Sequence, residues 1–380
     1  MGIFGIILSI LATYYESIAY YYSIFYFVSN HVKDGRRLIN TYGDMQKSFK
    51  FYGYNEFTFT SCGVQGSHGP YLNECINHYN VTWVKDVNNY SMWSPDGKPL
   101  VSRRYWMGEK IYADESHYAT GIQKITIPIS ANYEITAYGA GRLNYGAMAK
   151  AVVELKEGTE ILIAVGQQGI YDSDGSGGTF LAMLQNNDII PLIIAGGSGG
   201  GDRSEEYSDG STNIYGGRSD TIKDPNDQVS ERGLGQAGFK YRPNNGVRYR
   251  CERDSCERFR DLYEDYICFF CNNAGSGFNR SKSVRYQNDM FNFVNHKDDM
   301  ENPAKSFIDG LEGAHYCPPY VLNVLSEGGY GGGSCRGAGG GYTGGNGGKH
   351  ASGGGGSLVP HNGLVKKGHK GPGFLKLKII

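Results

Sequence analysis

The stretch GGYGGGSCRGAGGGYTGGNGG at positions 328–348 decides how this chain can fold. Glycine loses more conformational freedom on folding than any other residue, so a glycine-rich tract is a flexible linker unless ordered structure surrounds it. Glycine makes up 21 of the 46 residues from Gly328 to Gly373. The tract is followed by FLKLKII at positions 374–380, whose alternating apolar and polar residues predict a β-strand. We therefore expect the glycines to be part of a fold.

The composition is that of a folded protein. The chain has 380 residues, of which 39% are hydrophobic and 13% aromatic, enough to bury the core of one large or two ordinary β domains. Its 57 glycines and 12 prolines stay below the content of low-complexity chains. A net charge of −1 provides no basic field, and the glycine tracts hold a single Arg-Gly pair at 336–337. We expect no nucleic-acid partner.

Residues 1–28 predict a hydrophobic signal peptide or a membrane anchor. The run Ile3–Ala12 has the length of a signal-peptide core, and residues 17–19 supply small side chains where a signal peptidase cleaves. Continued to Val28, the segment is long enough to span a membrane, although Glu16 would lie near its middle. Cleavage is the favoured interpretation, and an uncleaved anchor or a misassigned start are the alternatives. Residues 29–55 are predicted to be a linker and 56–380 a glycine-rich β domain.

Short alternating apolar runs predict a mostly β domain with little helix. Residues 57–60 read as an edge strand, and residues 122–138 contain two strands that hinge at 128–131.

Two further pairs of strands are predicted as hairpins. Residues 151–155 and 161–165 flank a turn whose Gly158 suits a tight hairpin, and residues 179–184 and 189–195 flank a polar turn. Residues 247–303 differ from their surroundings because they nearly lack glycine runs and carry four cysteines. This stretch predicts an inserted loop or small lobe.

The eight cysteines fall into three local groups: Cys62 with Cys75, Cys317 with Cys335, and a quartet formed by Cys251, Cys256, Cys268 and Cys271. The quartet is compatible with four-thiolate zinc ligation and, alternatively, with two disulfides. Three sequons, at Asn80, Asn89 and Asn279, predict N-glycosylation. Together with the apolar N-terminus and the even cysteine count, they favour disulfides over zinc and an extracellular or cell-surface location reached through the secretory pathway.

Apparent catalytic motifs are weak. Residues 196–200 match the nucleophile-elbow pattern, but no helix is predicted to follow them. Residues 172–175 resemble the start of a calcium loop, yet the later oxygen ligands are missing, so a polar turn is predicted. The sequence contains no HExxH, Walker or protein-kinase motif. We expect no catalytic residues, no bound cofactor and no enzymatic activity for this chain.

The order of six segments resembles one receptor family. These segments are FTFTSCGVQGSHGPYLNEC (57–75), GIQKITIPISANYEITAYGAG (121–141), ILIAVGQQG (161–169), PLIIAGGSGGG (191–201), KSFIDGLEGAHYC (305–317) and GGYGGGSCRGAGGGYTGGN (328–346). They resemble the extracellular glycine-rich domain of the anaplastic lymphoma kinase and leukocyte tyrosine kinase receptors, over roughly residues 56–346. VGQQG and PLIIA followed by glycines are the more specific parts of this likeness.

The resemblance implies an all-β fold, a tumour-necrosis-factor-like β-sandwich with inserted polyglycine II helices that pack side by side. This fold makes physical sense, because only glycine lets such extended helices approach closely enough for their backbones to form hydrogen bonds with each other. The resemblance also implies that Cys62 pairs with Cys75 and that Cys317 pairs with Cys335.

The same resemblance implies a receptor function. Receptors of this family bind secreted cytokine-like proteins, dimerise and activate a cytosolic kinase. The sequence differs from the family pattern by an extra insertion and does not include the large preceding domains, the cysteine-rich module, the membrane span or the kinase. We expect either a fragment of a longer receptor or a domain that is used alone. We expect an extracellular domain that binds a secreted protein ligand and forms a ligand-induced dimer, with membrane contact only through an anchor or a missing C-terminal span. The alternative is a structural extracellular glycoprotein without a dedicated ligand. No motif identifies ligand-contacting residues.

Overall fold

A computed structural model describes residues 50–93, 121–201, 203–220, 274–279, 304–314, 326–335, 337–348 and 350–380, together with the backbone of two short strand pairs. The chain divides into two compact units, Met1–Lys50 and Phe51–Ile380, and both large sheets belong to the second. The predicted signal peptide or anchor at 1–28 lies outside the described residues. Phe51, from the predicted linker, is fully buried in the core of the second unit.

The domain contains two five-stranded antiparallel sheets, named sheet A and sheet B. Sheet A has the spatial order β1 (Glu56–Phe59), β14 (Phe374–Ile379), β6 (Ala131–Tyr138), β7 (Ala147–Leu155) and β13 (Leu364–Lys367). Sheet B has the order β10 (Asp188–Ala195), β9 (Thr179–Gln185), β8 (Glu160–Ala164), β5 (Gln123–Thr126) and β2 (Tyr90–Met92).

The remaining elements are short. Strands β3 (Arg104–Trp106) and β4 (Glu109–Ile111) pair antiparallel, whereas β11 (Phe239–Lys240) and β12 (Val284–Arg285) pair parallel. The α-helix of the described residues is α1 (Leu72–Tyr79), and 3-10 turns occupy Thr82–Lys85 and Glu206–Ser208.

A first hydrophobic core lies between the two sheets. Strand β6 alternates in burial, so that Tyr133, Ile135 and Ala137 are buried while the residues between them face outward. From sheet B, Ile161 and Ile163 belong to the same cluster. Each fully buried apolar side chain of this size contributes about 1.5–3 kcal/mol, so this contact stabilises the packing of the sheets. The arrangement is consistent with a β-sandwich.

The opposite face of sheet B is buried as well. Leu162 and Phe180 alternate with the residues of the first core and pack in a second cluster with Phe278, Phe307 and Tyr330. Phe278 comes from the stretch that the sequence predicts as an inserted lobe, so its described part packs on the domain. Because sheet B is covered on both faces, β8 and β9 have continuous apolar runs instead of an alternating pattern.

The outer face of sheet A, in contrast, is polar. It carries ion pairs between Lys150 and Glu134, at 2.9 Å, and between Lys376 and Glu56, at 3.1 Å. This face therefore remains in contact with water, which explains the alternation of FLKLKII in β14.

Several strand predictions are confirmed. Strand β1 lies at an edge of sheet A, and β14 forms from the predicted terminal strand. Strands β9 and β10 form a hairpin whose turn residues Asn186 and Asn187 both have positive φ, as a tight two-residue turn requires.

The predicted hairpin between residues 151–155 and 161–165 is wrong. Strand β7 pairs with β6 and β13 in sheet A, whereas β8 pairs with β5 and β9 in sheet B. Gly158 does adopt a positive φ of 80°, but its N–H donates to the carbonyl of Ile127 in the neighbouring crossover between the sheets, at 2.9 Å. A tight turn can thus connect strands of two different sheets as well as two paired strands. The alternation of apolar and polar residues in a strand does not identify the strand with which it pairs.

Helix α1 is an element that the sequence patterns did not indicate. Its eight residues end at Asn80, which adopts the left-handed conformation (φ 48°, ψ 38°). A polar network joins the helix to sheet B: the Tyr79 hydroxyl donates to Oε1 of the buried Gln123 at 2.8 Å, and the Tyr90 hydroxyl donates to the same oxygen at 3.0 Å. The Gln123 amide Nε2 in turn donates to the Thr60 carbonyl at 2.9 Å. The helix is therefore fixed by tertiary contacts more than by its own short sequence.

The glycine segments pack into an ordered body beside the sheets. We call this body the glycine lattice and define it as residues 175–178, 196–201, 208–217, 328–333, 337–345 and 351–357. Its segments are joined by backbone hydrogen bonds: Gly197 N–H donates to the Gly340 carbonyl at 2.8 Å, and Gly355 N–H donates to the Gly197 carbonyl at 2.8 Å. The expectation that the glycines are structural is confirmed for the centre of the lattice, because the buried residues Gly197, Gly340 and Gly355 are joined by backbone hydrogen bonds.

Candidate functional site

The glycine lattice has no space for side chains at its centre. Gly340 N–H donates to the Ser176 carbonyl at 3.1 Å, so its segment is hydrogen-bonded on two sides. A Cβ atom added to Gly340 would lie 2.5 Å from the carbonyl carbon of Gly332, and one added to Gly196 would lie 2.6 Å from that of Gly355. Distances below 3.0 Å essentially never occur for real Cβ atoms. The lattice is therefore a rigid platform that fixes the loops leaving it.

One exposed cluster stands where this platform meets sheet A. We call it the Tyr145 surface and define it as Tyr145, Asp209, Lys367 and Lys370. The ammonium of Lys367 lies 4.1 Å from the centroid of the Tyr145 ring, and that of Lys370 lies 5.0 Å from it. Lys367 Nζ also forms an ion pair with Asp209 Oδ2 at 2.7 Å. Tyr145 is 37% exposed, so part of the residue is accessible to a partner.

Backbone contacts hold the Tyr145 surface in place. The Tyr145 N–H donates to Asp209 Oδ1 at 2.8 Å, and Gly210 N–H donates to the Tyr145 carbonyl at 2.7 Å. Asp209 thus receives hydrogen bonds from both the loop backbone and Lys367. Because Asp209 accepts a hydrogen bond from Lys367, the pKa of that lysine is raised above its ordinary value and it is charged at neutral pH.

An aromatic group supports the lysine-bearing loop from below. The rings of Tyr138 and Phe374 stack with centroids 4.4 Å apart, and the His369 ring lies 5.1 Å from Tyr138. Gly146 N–H donates to the His369 carbonyl at 3.0 Å, which ties the loop to the chain segment that carries Tyr145. The surface is therefore pre-organised, which lowers the conformational entropy lost when a partner binds.

One member of the Tyr145 surface, the tyrosine, is of a residue type common in protein interfaces. Tyrosine is enriched at protein interfaces because it offers a large apolar area and a polar tip at a small cost in conformational entropy. Exposed cation–π contacts contribute about 0.5–1 kcal/mol each, and exposed ion pairs contribute little, so the cluster stabilises the fold only modestly.

The predicted disulfide between Cys62 and Cys75 is present, with the two Cα atoms 4.9 Å apart. It links the end of strand β1 to helix α1. Cys335 is disulfide-bonded, but Cys317 lies outside the described residues, so their pairing stays a prediction. Cys251, Cys256, Cys268 and Cys271 also lie outside them. Within the described part of the chain, no group of three or more His, Cys, Asp or Glu residues could hold a metal ion.

The three sequon asparagines differ in their surroundings. Asn80 and Asn279 are exposed, and Arg280 and Ser281, which complete the second of these sequons, lie outside the described residues. Asn89 is half-buried, and both ends of its amide form hydrogen bonds: Oδ1 accepts from the Tyr52 hydroxyl at 3.2 Å and Nδ2 donates to Asp86 at 3.0 Å.

The segments that resemble catalytic motifs are embedded in the fold. Ser198, the serine of the elbow-like sequence, is 1% exposed, and its hydroxyl donates to that of Ser176 at 3.3 Å. Asp174, from the calcium-loop-like sequence, accepts hydrogen bonds from the Tyr171 N–H, at 2.9 Å, and from the Ser326 hydroxyl. Both side chains therefore have structural partners.

Comparisons of the sequence with known protein families and with curated proteins find no match. Among the helices of the described residues, none has the length and apolar character needed to cross a bilayer.

The sequence gives no indication of the Tyr145 surface. Its members come from two loops and from the end of strand β13 with the residues after it, and no fixed spacing links Tyr145 to Asp209 or to Lys367. A hydrophobic residue or a lysine in a loop is common, so only the contacts between the loops reveal the cluster.

Proposed function

We propose that this chain is an extracellular ligand-binding glycine-rich domain of receptor-tyrosine-kinase type, that it recognises a secreted protein ligand, and that its role is binding without catalysis. The observation that carries the proposal is the glycine lattice, in which hydrogen-bonded segments with closely packed glycines hold exposed loops in fixed positions. The disulfide between Cys62 and Cys75 supports a location in the oxidising secretory pathway. The sequence resemblance to the glycine-rich receptor domains supports the choice of a secreted protein as ligand.

We further infer that the two sheets form a sandwich of the tumour-necrosis-factor type and that the lattice segments are polyglycine II helices. Two features support this inference. Hydrogen bonds run between segments that are distant in sequence, as from Gly339 to Gly353 at 3.0 Å and from Gly178 to Gly331 at 2.9 Å. Adjacent segments are also too close for any Cβ, which is the condition that demands glycine in packed extended helices.

The Tyr145 surface is the part of the domain proposed to contact the ligand. It combines an exposed aromatic ring with two ammonium groups, and its backbone is fixed before any partner arrives. A complementary partner would carry a carboxylate near an apolar patch, because the carboxylate would attract Lys370 and the patch would cover the exposed part of Tyr145.

The test is a binding experiment with the full chain secreted from eukaryotic cells. The purified protein is immobilised and exposed to the secreted proteins of the same organism, and bound proteins are titrated individually. We expect saturable binding of one protein with a dissociation constant in the nanomolar to micromolar range. We also expect sedimentation of the complex to report two copies of the chain. Absence of saturable binding, with correctly folded protein, would favour the structural glycoprotein instead.

Matched variants locate the contact. Tyr145→Ala is expected to weaken binding about tenfold or more, as truncation of an aromatic hot spot does. Tyr54 is 40% exposed and lies near the other end of sheet A, so Tyr54→Ala removes a similar exposed ring and should leave binding unchanged. Equal effects of both variants would contradict the assignment of the Tyr145 surface.

A further inference from the structure

Two of the predicted glycosylation sequons lie close together in sequence but differ sharply in the folded domain. Asn80 follows the last residue of α1, is exposed, and its side chain makes no hydrogen bond within the described residues. Thr82, the sequon hydroxyl, is also exposed and begins the 3-10 turn Thr82–Lys85. Asparagine tolerates the left-handed conformation that ends the helix, and at this position its residue is exposed.

Asn89 has a structural role instead. Its amide connects the Tyr52 hydroxyl to the Asp86 carboxylate, at 3.2 Å and 3.0 Å. Its backbone carbonyl accepts from the Thr126 N–H at 3.1 Å, which joins the turn to strand β5. Tyr52 in turn stacks on the buried Trp83, with ring centroids 4.7 Å apart. A sugar on Nδ2 would replace one of the two hydrogens of the nitrogen that contacts Asp86 and would crowd this contact.

We propose that Asn80 carries an N-linked oligosaccharide and that Asn89 remains unmodified. The inference rests on the proposed function, because it requires the chain to enter the secretory pathway. In the transfer, Asn80 Nδ2 forms a bond to C1 of the first sugar of a lipid-pyrophosphate-linked oligosaccharide. The bond between C1 and the pyrophosphate oxygen breaks, the lipid pyrophosphate leaves, and the amide nitrogen gives one proton to a base of the transferase. The hydroxyl of Thr82 is the part of the sequon that the transferase recognises.

The site has a structural consequence for the domain. Cys75 of α1 is bonded to Cys62, so the helix that positions Asn80 is covalently attached to the end of β1. A glycan at Asn80 would therefore project from a fixed point of the domain and shield the end of α1. It would disturb no hydrogen bond of the Asn80 side chain, whereas a glycan at Asn89 would be attached to the nitrogen that donates to Asp86.

The experiment is translation of the full chain in the presence of microsomes, followed by protease protection and by digestion with an N-glycosidase. Asn80→Gln and Thr82→Ala are each expected to remove the same single glycosidase-sensitive increment of mass, and Thr82→Ser should retain it. Asn89→Gln is expected to leave the mass increment unchanged. The same variants, secreted from cells, are then compared by mass spectrometry of the intact protein.

The outcomes separate this inference from the proposed function. A protease-protected chain whose glycan pattern is unaffected by Asn80→Gln overturns the Asn80 assignment and leaves the extracellular location intact. Loss of an increment in Asn89→Gln overturns the claim that Asn89 remains bare. A chain that stays accessible to protease has not been translocated, and this result overturns both the proposed extracellular function and the glycan.

Discussion

Substitution of Gly340 by alanine tests the glycine lattice directly. The added methyl would approach the carbonyl carbon of Gly332 to 2.5 Å, so the Gly340 segment must move. Movement displaces two buried hydrogen bonds, from Gly340 to Ser176 at 3.1 Å and from Gly197 to Gly340 at 2.8 Å. Leaving buried polar groups unpaired costs about 1–3 kcal/mol each, and overpacking alone costs about 1–3 kcal/mol.

We therefore expect Gly340→Ala to lower the free energy of unfolding by about 3–9 kcal/mol, a large part of the about 5–15 kcal/mol that stabilises a typical protein. The matched control is Gly53→Ala. Gly53 has a positive φ of 95° and no atom within 4 Å of an added Cβ. Gly53→Ala should therefore lose only the stability that an alanine loses by adopting a positive φ. This backbone strain costs about 1–2 kcal/mol.

The assay is urea unfolding of the two variants and the wild type, combined with amide hydrogen exchange. In the wild type, we expect slow exchange of the Gly197 and Gly355 amides, and in Gly340→Ala we expect faster exchange at both. If Gly340→Ala proves no more destabilising than Gly53→Ala, or if the lattice amides of the wild type exchange as fast as those of a random coil, the lattice is not the rigid platform described above.

Three further predictions concern α1 and its surroundings. Cys75→Ser should lower the free energy of unfolding by about 2–4 kcal/mol through loss of the bond to Cys62, and a melting temperature that is unchanged in the variant would contradict this. Gln123→Leu should lower the free energy of unfolding by about 2–5 kcal/mol, because the Tyr90 hydroxyl and the other buried groups that bond to Gln123 lose their partner. Chemical denaturation measures this free energy, and an unchanged value would show that the network is dispensable. Burial raises the pKa of Tyr79 from 10.0 to about 12, so the folded state favours the neutral phenol. The stability that the neutral phenol contributes is fully present below pH 10 and is lost as the pH rises towards 12. When unfolding is measured against pH, Tyr79→Phe should lose less stability at alkaline pH than the wild type.

Local sequence patterns predict much of sheet structure in this chain. The alternation in β14 and the polar turn between β9 and β10 are sufficient to predict these elements, because each pattern depends on residues that are adjacent in sequence. The partner of β7 was mispredicted because Gly158 allows a tight turn in either of two directions, and the choice depends on which sheet offers a free edge. Helix α1 was missed because an eight-residue helix has little periodicity of its own and depends on Gln123 and on the disulfide.

The candidate site was less predictable than the fold. The disulfide between Cys62 and Cys75 followed from the resemblance, and the sequons are visible as motifs. The Tyr145 surface, however, arises from contacts between loops that are brought together by the glycine lattice. The same is true of the difference between Asn80 and Asn89, because both match the sequon and only their neighbours in space distinguish them.

The position of β14 has a consequence for biosynthesis. This strand lies between β1 and β6, and Lys376 is 320 residues from its ion-pair partner Glu56. During translation, β1 therefore remains unpaired until nearly the whole described sequence has left the ribosome. Sheet A must close late, and premature termination anywhere before Phe374 would leave β1 unpaired and the apolar side chains of β6 accessible to chaperones and to other nascent chains.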